Sequence, residues 1–373
     1  VRRRFRDDDG VVTAFRDGEV TLRENRRTEG FTNAIAELGY HGVRRGDLVI
    51  HSMDAFAGAI GVSDSDGKAS PVVHVYESLD GNDPGFFAYV LRELARSGFI
   101  ASLARGIRER STAFDSSTFR SLVIAAPPQQ EQRRIAQFLD RETARIDAVI
   151  ARRRYMLVLL KERRRALIAD EIEPSGPAEA LRLSRLFFIV NGGTPTADPK
   201  YWNGVVPWAT PIDLGPADGG ILRGTRRSLT EAGVQTGSAT IGEEALLIST
   251  RAPIGYVARV GQRTAFNQGC RGLVPRDSVD LRYFAYQLEG LRSRLEALGQ
   301  GSTFMELSAN ELASVPLRNP PLPEQREIAD RLDRATREVG VLAMKTARQV
   351  EVLVERRQAL IAHAVTGQLP RPE

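Results

Sequence analysis

The sequence predicts an α+β fold, in which two mixed α/β domains are joined by two long helices packed as an antiparallel coiled coil with pseudo-two-fold symmetry. Three observations predict it. A segment of 46 residues occurs twice without a gap, both copies carry a seven-residue apolar period, and each copy follows a stretch of short apolar runs separated by turn residues. A chain of 373 residues with 42% hydrophobic content is long enough for two such domains and the helices between them.

The repeat covers residues 127–172 and 320–365, at a constant offset of 193 residues, and 19 of its 46 aligned positions are identical. The identities concentrate at the opening proline pair, at the Glu-Gln that follows it, and in the tail ERRxALIA. A proline pair ends the preceding element and suits the start of a helix, where a missing N–H costs little. Each copy therefore predicts one long helix.

Both helices carry an apolar seam in the same register. Its members recur at multiples of seven, namely Leu139, Ile146, Leu160 and Leu167 in the first copy and Leu332, Val339, Leu353 and Leu360 in the second. The middle seam position is polar in both, Arg153 or Thr346. About 40 helical residues form a rod on the order of 60 Å long, which cannot bury its seam alone. The matched seams therefore predict an antiparallel pair that acts as a spacer.

The remaining segments are assigned in chain order. They are a first domain at 1–126, a linker at 173–181, a second domain at 182–319 and a tail at 366–373. Residues 46–62 resemble residues 242–257, and the aromatic run 86–89 resembles 283–286. The counterpart of Gly192–Pro195 would precede Val1, so we expect the first domain to be N-terminally incomplete.

The second domain contains four short motifs: GGTP at 192–195, TPxDL at 210–214, STRxPIG at 249–255 and NQG at 267–269. With the two helices that begin PPxxEQRxIA and the final VTGQL, the chain resembles Type I restriction-modification specificity subunits over nearly its whole length. The first domain departs from the pattern, since it has His51-Ser52-Met53-Asp54 where the second has Ser249-Thr250-Arg251.

The resemblance implies that each domain is a target recognition domain that reads half of a split, asymmetric site in double-stranded DNA, while the helices fix the spacing. It also implies methyltransferase subunits, two in number, and restriction or translocase subunits as partners. In the family, S-adenosylmethionine is held by the methyltransferase, so we expect this chain to bind no cofactor.

Candidate DNA contacts are polar or basic residues near the motifs. In the second domain they are Lys200, Tyr201, Thr250, Arg251, Asn267 and Gln268, and in the first they are Arg44, Arg45, His51, Ser52 and Arg110. Arginine suits guanine and Asn or Gln suits adenine in the major groove. Each of these residues also fits a structural or solvated role, and Trp202 and Trp208 are expected in the core.

The charge distribution limits where DNA could bind. The chain has a net charge of +5, of which residues 131–169 carry +6 and residues 324–362 carry +1, so the rest of the chain sums to −2. A polyanion is a compatible partner, but bulk charge does not draw the domains to phosphates. Any DNA-binding face must therefore be a local basic patch.

The sequence argues against several other classes. The four histidines and the single Cys270 have no metal-ligand spacing, one cysteine allows no disulfide framework within the chain, and no apolar run could cross a bilayer, which favours the cytosol. Asn319-Pro320-Pro321 resembles part of an amino-methyltransferase motif, but Leu322 replaces its aromatic residue and no glycine-rich nucleotide loop accompanies it. A non-catalytic binding subunit is predicted. The alternative is a coiled-coil adapter whose domains bind proteins without DNA specificity.

Overall fold

The computed structural model describes residues 2–26, 38–103, 114–172, 180–299 and 305–368. The chain divides into a first unit, residues 1–154 with 348–373, and a second unit, residues 155–347. The two division points lie 193 residues apart, which is the offset of the sequence repeat. We call the parts of each unit outside the long helices the first head (within 2–126) and the second head (within 180–319).

The first head contains short strands and short helices. Its strands are β1 (Val12–Ala14), β2 (Val20–Leu22), β3 (His41–Val43), β4 (Leu48–His51), β5 (Ile60–Val62), β6 (Gly67–Ala69) and β7 (Val73–Tyr76). Its helices are α1 (Pro84–Arg96), α2 (Phe99–Leu103) and α3 (Ser116–Ser121), with 3₁₀ turns at Arg23–Asn25 and Ala55–Ala57. Strand β4 lies between β5 and β7, antiparallel to both. Apolar side chains of β4, β5 and α1, including Ile50, Ile60 and Leu91, form one apolar cluster, and valines and alanines of its strands form another.

The first long helix, α4 (Gln129–Ile172), is followed by the second head. Its strands are β8 (Ala180–Arg182), β9 (Phe187–Asn191), β10 (Trp202–Ala209), β11 (Ile221–Leu222), β12 (Arg227–Leu229), β13 (Thr240–Ile241), β14 (Leu246–Ser249), β15 (Val257–Val260), β16 (Thr264–Phe266), β17 (Cys270–Pro275) and β18 (Pro316–Arg318). Its helices are α5 (Leu183–Leu186), α6 (Pro211–Ala217), α7 (Glu231–Gly237), α8 (Leu281–Gly290), α9 (Arg292–Leu298) and α10 (Ala309–Ser314), with a 3₁₀ turn at Pro199–Tyr201.

The described strands of the second head form three sheets. The strand orders are β11-β15-β14-β17-β9, β12-β10-β16-β13 and β18-β8. The β8–β18 pair joins the two ends of the head, so residues 180 and 181, assigned to a linker from the sequence, are part of a strand. Helix α8 packs against the five-stranded sheet through Tyr283, Phe284 and Leu288. The stretch 281–298, which reads as one helix, is divided at Leu291, directly after Gly290.

The two heads share a three-stranded arrangement. Strand β14 lies between β15 and β17 in the same antiparallel pattern that places β4 between β5 and β7. In each head the helix that follows begins at an aspartate, Asp83 or Asp280, whose side chain accepts hydrogen bonds from the first turn. The weak resemblance between residues 46–62 and 242–257 therefore corresponds to a common sheet order.

The second long helix is α11 (Leu322–Val365), and like α4 it contains 44 residues. Both begin directly after their proline pairs, as the sequence predicts. The Pro128 carbonyl accepts from the backbone N–H of Gln132, and the Pro321 carbonyl accepts from that of Gln325. All eight apolar seam residues predicted from the heptads are buried or half-buried, and the polar Thr346 in the second seam is buried.

Within each unit a segment of α4 contacts a segment of α11. In the first unit, Leu139 lies in one apolar cluster with Leu360 and Ala364, and Arg357 pairs with Asp147 at 2.9 Å. In the second unit, Ile168 lies in a cluster with Leu332, and Arg331 pairs with Glu171. The start of α4 thus meets the end of α11, and the end of α4 meets the start of α11.

Candidate nucleic-acid interface

Each head is attached to its long helix through a glutamine that both copies of the repeat share. Gln132 Oε1 accepts a 2.9 Å hydrogen bond from the backbone N–H of Asp83, and Gln325 Oε1 accepts one of the same length from Asp280. The side-chain amides donate to the carbonyls of Pro127 (2.9 Å) and Pro320 (2.8 Å). Both glutamines are buried, so these bonds fix the start of the helix in each head against the start of the spacer helix.

A second duplicated contact lies two turns further along the same helices. The Tyr89 hydroxyl donates to Asp140 Oδ1 at 2.8 Å, and the Tyr286 hydroxyl donates to Asp333 Oδ1 at 2.7 Å. A buried threonine lies beside each hydroxyl, Thr143 at 3.4 Å and Thr336 at 3.2 Å. Burial raises the pKa of both tyrosines, which therefore remain neutral donors.

The loops of the second head that carry the sequence motifs converge on the turn at Gly269. Asn267 Oδ1 accepts from the Gly269 N–H at 3.0 Å and closes this turn. The Gly269 carbonyl accepts from the backbone N–H of Thr250 at 2.8 Å. Thr194 donates to Gln268 Oε1 at 2.5 Å, and Pro211 packs against Gly269. We call this arrangement of residues 192–195, 210–213, 249–251 and 267–269 the motif cluster.

Within the cluster, glycine at position 192 allows two chain segments to approach closely. A Cβ atom at Gly192 would come within 2.6 Å of the Phe266 carbonyl and would also collide with the Asn267 carbonyl. Gly193 donates its N–H to the Phe266 carbonyl at 2.9 Å, and its own carbonyl accepts from Trp208 Nε1 at 3.1 Å. The two glycines of the GGTP motif therefore allow the loop at 192–195 to pack directly against the NQG turn.

Asp213 of the TPxDL motif orients an arginine that the sequence reasoning missed. Its Oδ1 accepts from both the backbone N–H and the Nε of Arg226, each at 3.1 Å, while its Oδ2 accepts from the Thr210 N–H at 2.9 Å. Burial would raise the pKa of Asp213, but these hydrogen bonds outweigh it and lower the pKa. Asp213 therefore stays ionised and holds the exposed Arg226 guanidinium in place.

The neighbouring Arg227 is held by aromatic rings instead. Its guanidinium lies 3.5 Å from the ring centroid of Trp202 and 5.5 Å from that of Trp208. Both tryptophans are buried, as the sequence predicts, and their rings meet edge to face. Among the described residues no carboxylate pairs with Arg227, so this planar cation is free to bond a further acceptor.

The other candidates of the second head have different exposures. Lys200 is exposed and pairs with Asp198 at 2.9 Å, which raises the pKa of its ammonium group, and it lies 4.9 Å from the half-buried Tyr201 ring. Arg251 pairs with Glu306 at 3.0 Å and is partly exposed. Thr250 is fully buried. It supports its loop through backbone hydrogen bonds, so it is no longer a candidate for direct DNA contact.

The described candidate DNA-contact residues of the first head do not converge on one turn as the motif loops of the second head do. Arg44 and Arg45 lie in the exposed turn before β4, where their backbone N–H groups donate to Asp47 and Asp66. Ser52 is buried and is dropped as a contact residue. His51 is largely buried, with Nδ1 3.5 Å from Asp54, and burial lowers its pKa despite that carboxylate. Arg110 lies outside the described residues.

Two negative findings apply to the part of the chain that the structure describes. No cluster of three or more His, Cys, Asp or Glu side chains in it could hold a metal ion. In the same ranges, no helix combines the length and the apolar character needed to span a bilayer.

Two strand-rich heads with different loops, each attached to a long helix by the same side chains, define a protein built from two diverged copies of one unit. Residues 177–351 match the family model of the Type I restriction modification DNA specificity domain. This match confirms the chain's resemblance to Type I restriction-modification specificity subunits.

Individual relatives agree with this match. The Type I restriction enzyme MjaIX specificity subunit of Methanocaldococcus jannaschii is 34% identical over 145 residues, which is 38% of this chain and 34% of that protein. The putative Type I restriction enzyme MjaX specificity subunit of the same organism is 23% identical over 288 residues, 72% of this chain and 65% of that protein. The chain thus spans about a third of the first relative and less than two thirds of the second.

A solved structure described as "Structural basis underlying complex assembly and conformational transition of the type I R-M system" contains a similar chain. The TM-score is 0.62 at 22% identity, and the match covers 88% of this chain and 84% of the other. At this identity the likeness concerns the fold.

Proposed function

We propose that this chain is the DNA-reading subunit of a Type I restriction-modification complex and carries out no catalysis itself. The observation that carries the proposal is the duplicated attachment of two heads with different loops. Gln132 and Tyr89 hold the first head as Gln325 and Tyr286 hold the second, while His51-Ser52-Met53 in one stands where Ser249-Thr250-Arg251 stands in the other. Constant attachment with variable loops suits two readers of different half-sites, one at 1–126 and one at 182–319.

In the second head we assign the contact surface to the motif cluster and to the two arginines beside it. Arg226 is oriented by Asp213, and Arg227 is stacked on Trp202, so both guanidinium groups are placed before DNA arrives. Preorganised guanidinium groups suit bidentate bonds to guanine or to phosphate. Asn267, Gln268 and Arg251 lie in the same cluster and are the remaining candidates there, and Lys200 and Tyr201 are further candidates of this head.

We further propose that α4 and α11 pack antiparallel along their length as a coiled coil related by a pseudo-two-fold axis. Leu139 shares an apolar cluster with Leu360 and Ile168 shares one with Leu332, each inside one unit, which supports this direction. Such a spacer would convert helix length into a number of unread base pairs. A heptad inserted in both helices, after Arg154 and after Ala347, should lengthen the gap by about three base pairs, at 1.5 Å per residue and about 3.4 Å per base pair.

The proposed partners are two methyltransferase subunits, which would supply S-adenosylmethionine, and restriction or translocase subunits. Repeat-equivalent apolar residues on the two helices support two copies of one partner. Val149 and Leu342 are 40% and 41% exposed, and Leu159 and Val352 are 45% and 46% exposed. Exposed apolar side chains repeated in this way favour two equivalent protein contacts.

The proposal is tested by selecting bound duplexes from a random DNA library with the purified chain assembled with its methyltransferase subunits. We expect enrichment of two short sequences separated by a constant number of unread base pairs. Arg227→Ala should relax the preference at one half-site only, and Arg44→Ala, in the other head, should leave that half-site unchanged. Recovery of no sequence above scrambled DNA would contradict the proposal and favour a protein-interaction adapter.

A further inference from the structure

At one position of the head attachment the two units differ in charge. Helix α1 aligns with α8 from Asp83 and Asp280 onward without a gap, so Arg92 of the first head corresponds to Glu289 of the second. On the spacer helices, Arg357 corresponds to Arg164. The contact between head helix and long helix therefore brings together an arginine and a glutamate in the second unit, whereas the corresponding residues of the first unit are both arginines.

In the second unit the two charges neutralise each other. Arg164 donates from Nε to Glu289 Oε1 at 2.7 Å and from Nη2 to Oε2 at 3.0 Å, and both side chains are largely buried. Burial alone would lower the pKa of Arg164, but the hydrogen bonds from its guanidinium to Glu289 raise it. Helix α8 is thus joined to α4 by a bidentate ion pair.

In the first unit the corresponding anion is missing among the described residues. The guanidinium of Arg92 lies 4.6 Å from the Tyr89 ring centroid and passes beside Gly18, where a Cβ atom would collide with it. Burial lowers the pKa of Arg92, and the nearby charge of Arg357 lowers it further. The carboxylate of Asp140 attracts Arg92, but it already accepts a hydrogen bond from the Tyr89 hydroxyl. Arg357 forms an ion pair with Asp147, which is partly exposed to solvent.

These arginines line a cavity of about 780 Å³ that lies wholly within the first unit. The described lining contains five arginines, Arg16, Arg92, Arg96, Arg154 and Arg357. It contains three carboxylates, those of Asp17, Glu93 and Asp147, so the lining carries a net charge of +2. Two lining residues pair with residues outside the lining: Asp17 pairs with Arg26, and Arg16 pairs with Asp54. These two pairs add one positive and one negative charge, so the net charge around the cavity remains +2.

We propose that this cavity binds a phosphate group, which takes the place that the Glu289 carboxylate occupies in the second unit. A dianion would balance the charge of the lining, and guanidinium forks fit the oxygens of phosphate. The volume falls in the range of small-ligand pockets, and Phe56, Ile150 and Ile361 supply apolar walls. The phosphate can belong to a free ion or nucleotide or to the DNA backbone, since the recognition chemistry is shared.

The proposal is tested on the full chain with inorganic phosphate, with AMP, and with duplex DNA, each compared with chloride at equal ionic strength. Titration calorimetry and the melting temperature should show binding of phosphate or AMP by the wild type. Arg92→Glu should weaken that binding at least about tenfold, because it supplies the missing carboxylate internally. The same variant should melt higher than the wild type in phosphate-free buffer, because the introduced carboxylate would pair with Arg357.

Arg152→Glu is the matched control, since it makes the same change of charge at an exposed position of α4 outside the cavity. It should keep the wild-type response. If Arg92→Glu does not fold, Arg92→Gln removes the charge at similar length and should lose the response. Weakening of duplex binding by these variants, without binding of phosphate or AMP, would identify the DNA backbone as the source. Absence of both effects overturns the proposal, whether or not the chain selects a DNA sequence.

Discussion

The Nε of Arg226 donates a 3.1 Å hydrogen bond to Asp213, a carboxylate that is itself buried at the start of helix α6. The bond links the TPxDL motif to an arginine 13 residues further along the chain. This hydrogen bond fixes the orientation of the Arg226 side chain, which is otherwise exposed to solvent. Recognition by such a side chain depends on the residue that orients it as well as on the guanidinium itself.

Replacing either member of this pair should weaken specific DNA binding. Arg226→Gln is expected to cost about 1–3 kcal/mol of binding free energy, if the guanidinium bonds one base. Asp213→Asn should relax the same half-site, because the amide holds Arg226 less firmly. Fluorescence anisotropy with selected and scrambled duplexes measures both, and Arg263→Gln, which alters an exposed arginine paired with Glu231, is the control. Wild-type discrimination by Arg226→Gln would remove this residue from the interface.

The duplicated tyrosines should contribute similar stability in the two units. Tyr89→Phe and Tyr286→Phe each remove a hydrogen bond to a carboxylate, and we expect each to lower the free energy of unfolding by about 1–2 kcal/mol. Urea unfolding measures the change. Tyr155→Phe, at an exposed position of α4, should have little effect. A negligible effect at position 89 with a large one at 286 would show that the two attachments are not equivalent.

Substitution of Gly192 should disturb the motif cluster. Gly192→Ala places a methyl group against two backbone carbonyls, and relief of that overlap is expected to cost about 1–3 kcal/mol. The Thr194–Gln268 bond should be lost as the loop moves. Gly224→Ala is the matched control, because nothing lies within 4 Å of its Cβ position. Equal melting temperatures of the two variants would contradict the close approach described for Gly192.

Stability should fall below neutral pH because of the first head. Burial lowers the pKa of His41, His51 and His74 below the ordinary value of 6.5. The unfolded chain therefore binds more protons than the folded chain as the pH falls through 6.5, and the stabilisation present above that pH is lost progressively below it. The urea midpoint should be lower at pH 5.5 than at pH 7.5. His51→Gln should flatten this dependence, whereas His363→Gln, at an exposed position, should leave it unchanged.

The exposed apolar residues of the spacer should set the number of partner copies. Val149→Asp and Leu342→Asp each place a charge in one proposed contact, so each should reduce the bound methyltransferase from two copies to one. The double variant should bind none. Native mass spectrometry of the complex counts the copies, and Ala144→Asp and Ala335→Asp, at exposed positions of the same helices, are the controls. Two bound copies in both single variants would contradict the assignment.

The long helices could be predicted closely because their signals are local. Proline pairs mark both starts, and the heptads identify the seam without knowledge of the partner. The roles of Thr143 and Thr336, two polar residues near the apolar seam, could not be predicted from the heptads. Each lies beside a tyrosine hydroxyl from a different element, so its role depends on a contact distant in sequence.

The interface could be predicted only in outline. The motifs indicate which loops meet, and Gln268 does lie against Thr194. The direction of single side chains in short loops is set by tertiary hydrogen bonds, and for this reason the sequence pattern assigns Thr250 and Ser52 as contacts although both are buried. Arg226 and Arg227 have no motif of their own, and their placement depends on Asp213 and Trp202.

The glutamine and tyrosine contacts that attach each head leave its loops untouched. Genetic exchange between the two copies, at any point within the shared helical segments, would join a foreign head to a helix that already carries the residues for receiving it. New combinations of loops could then arise by recombination in one step, without rebuilding the helical scaffold.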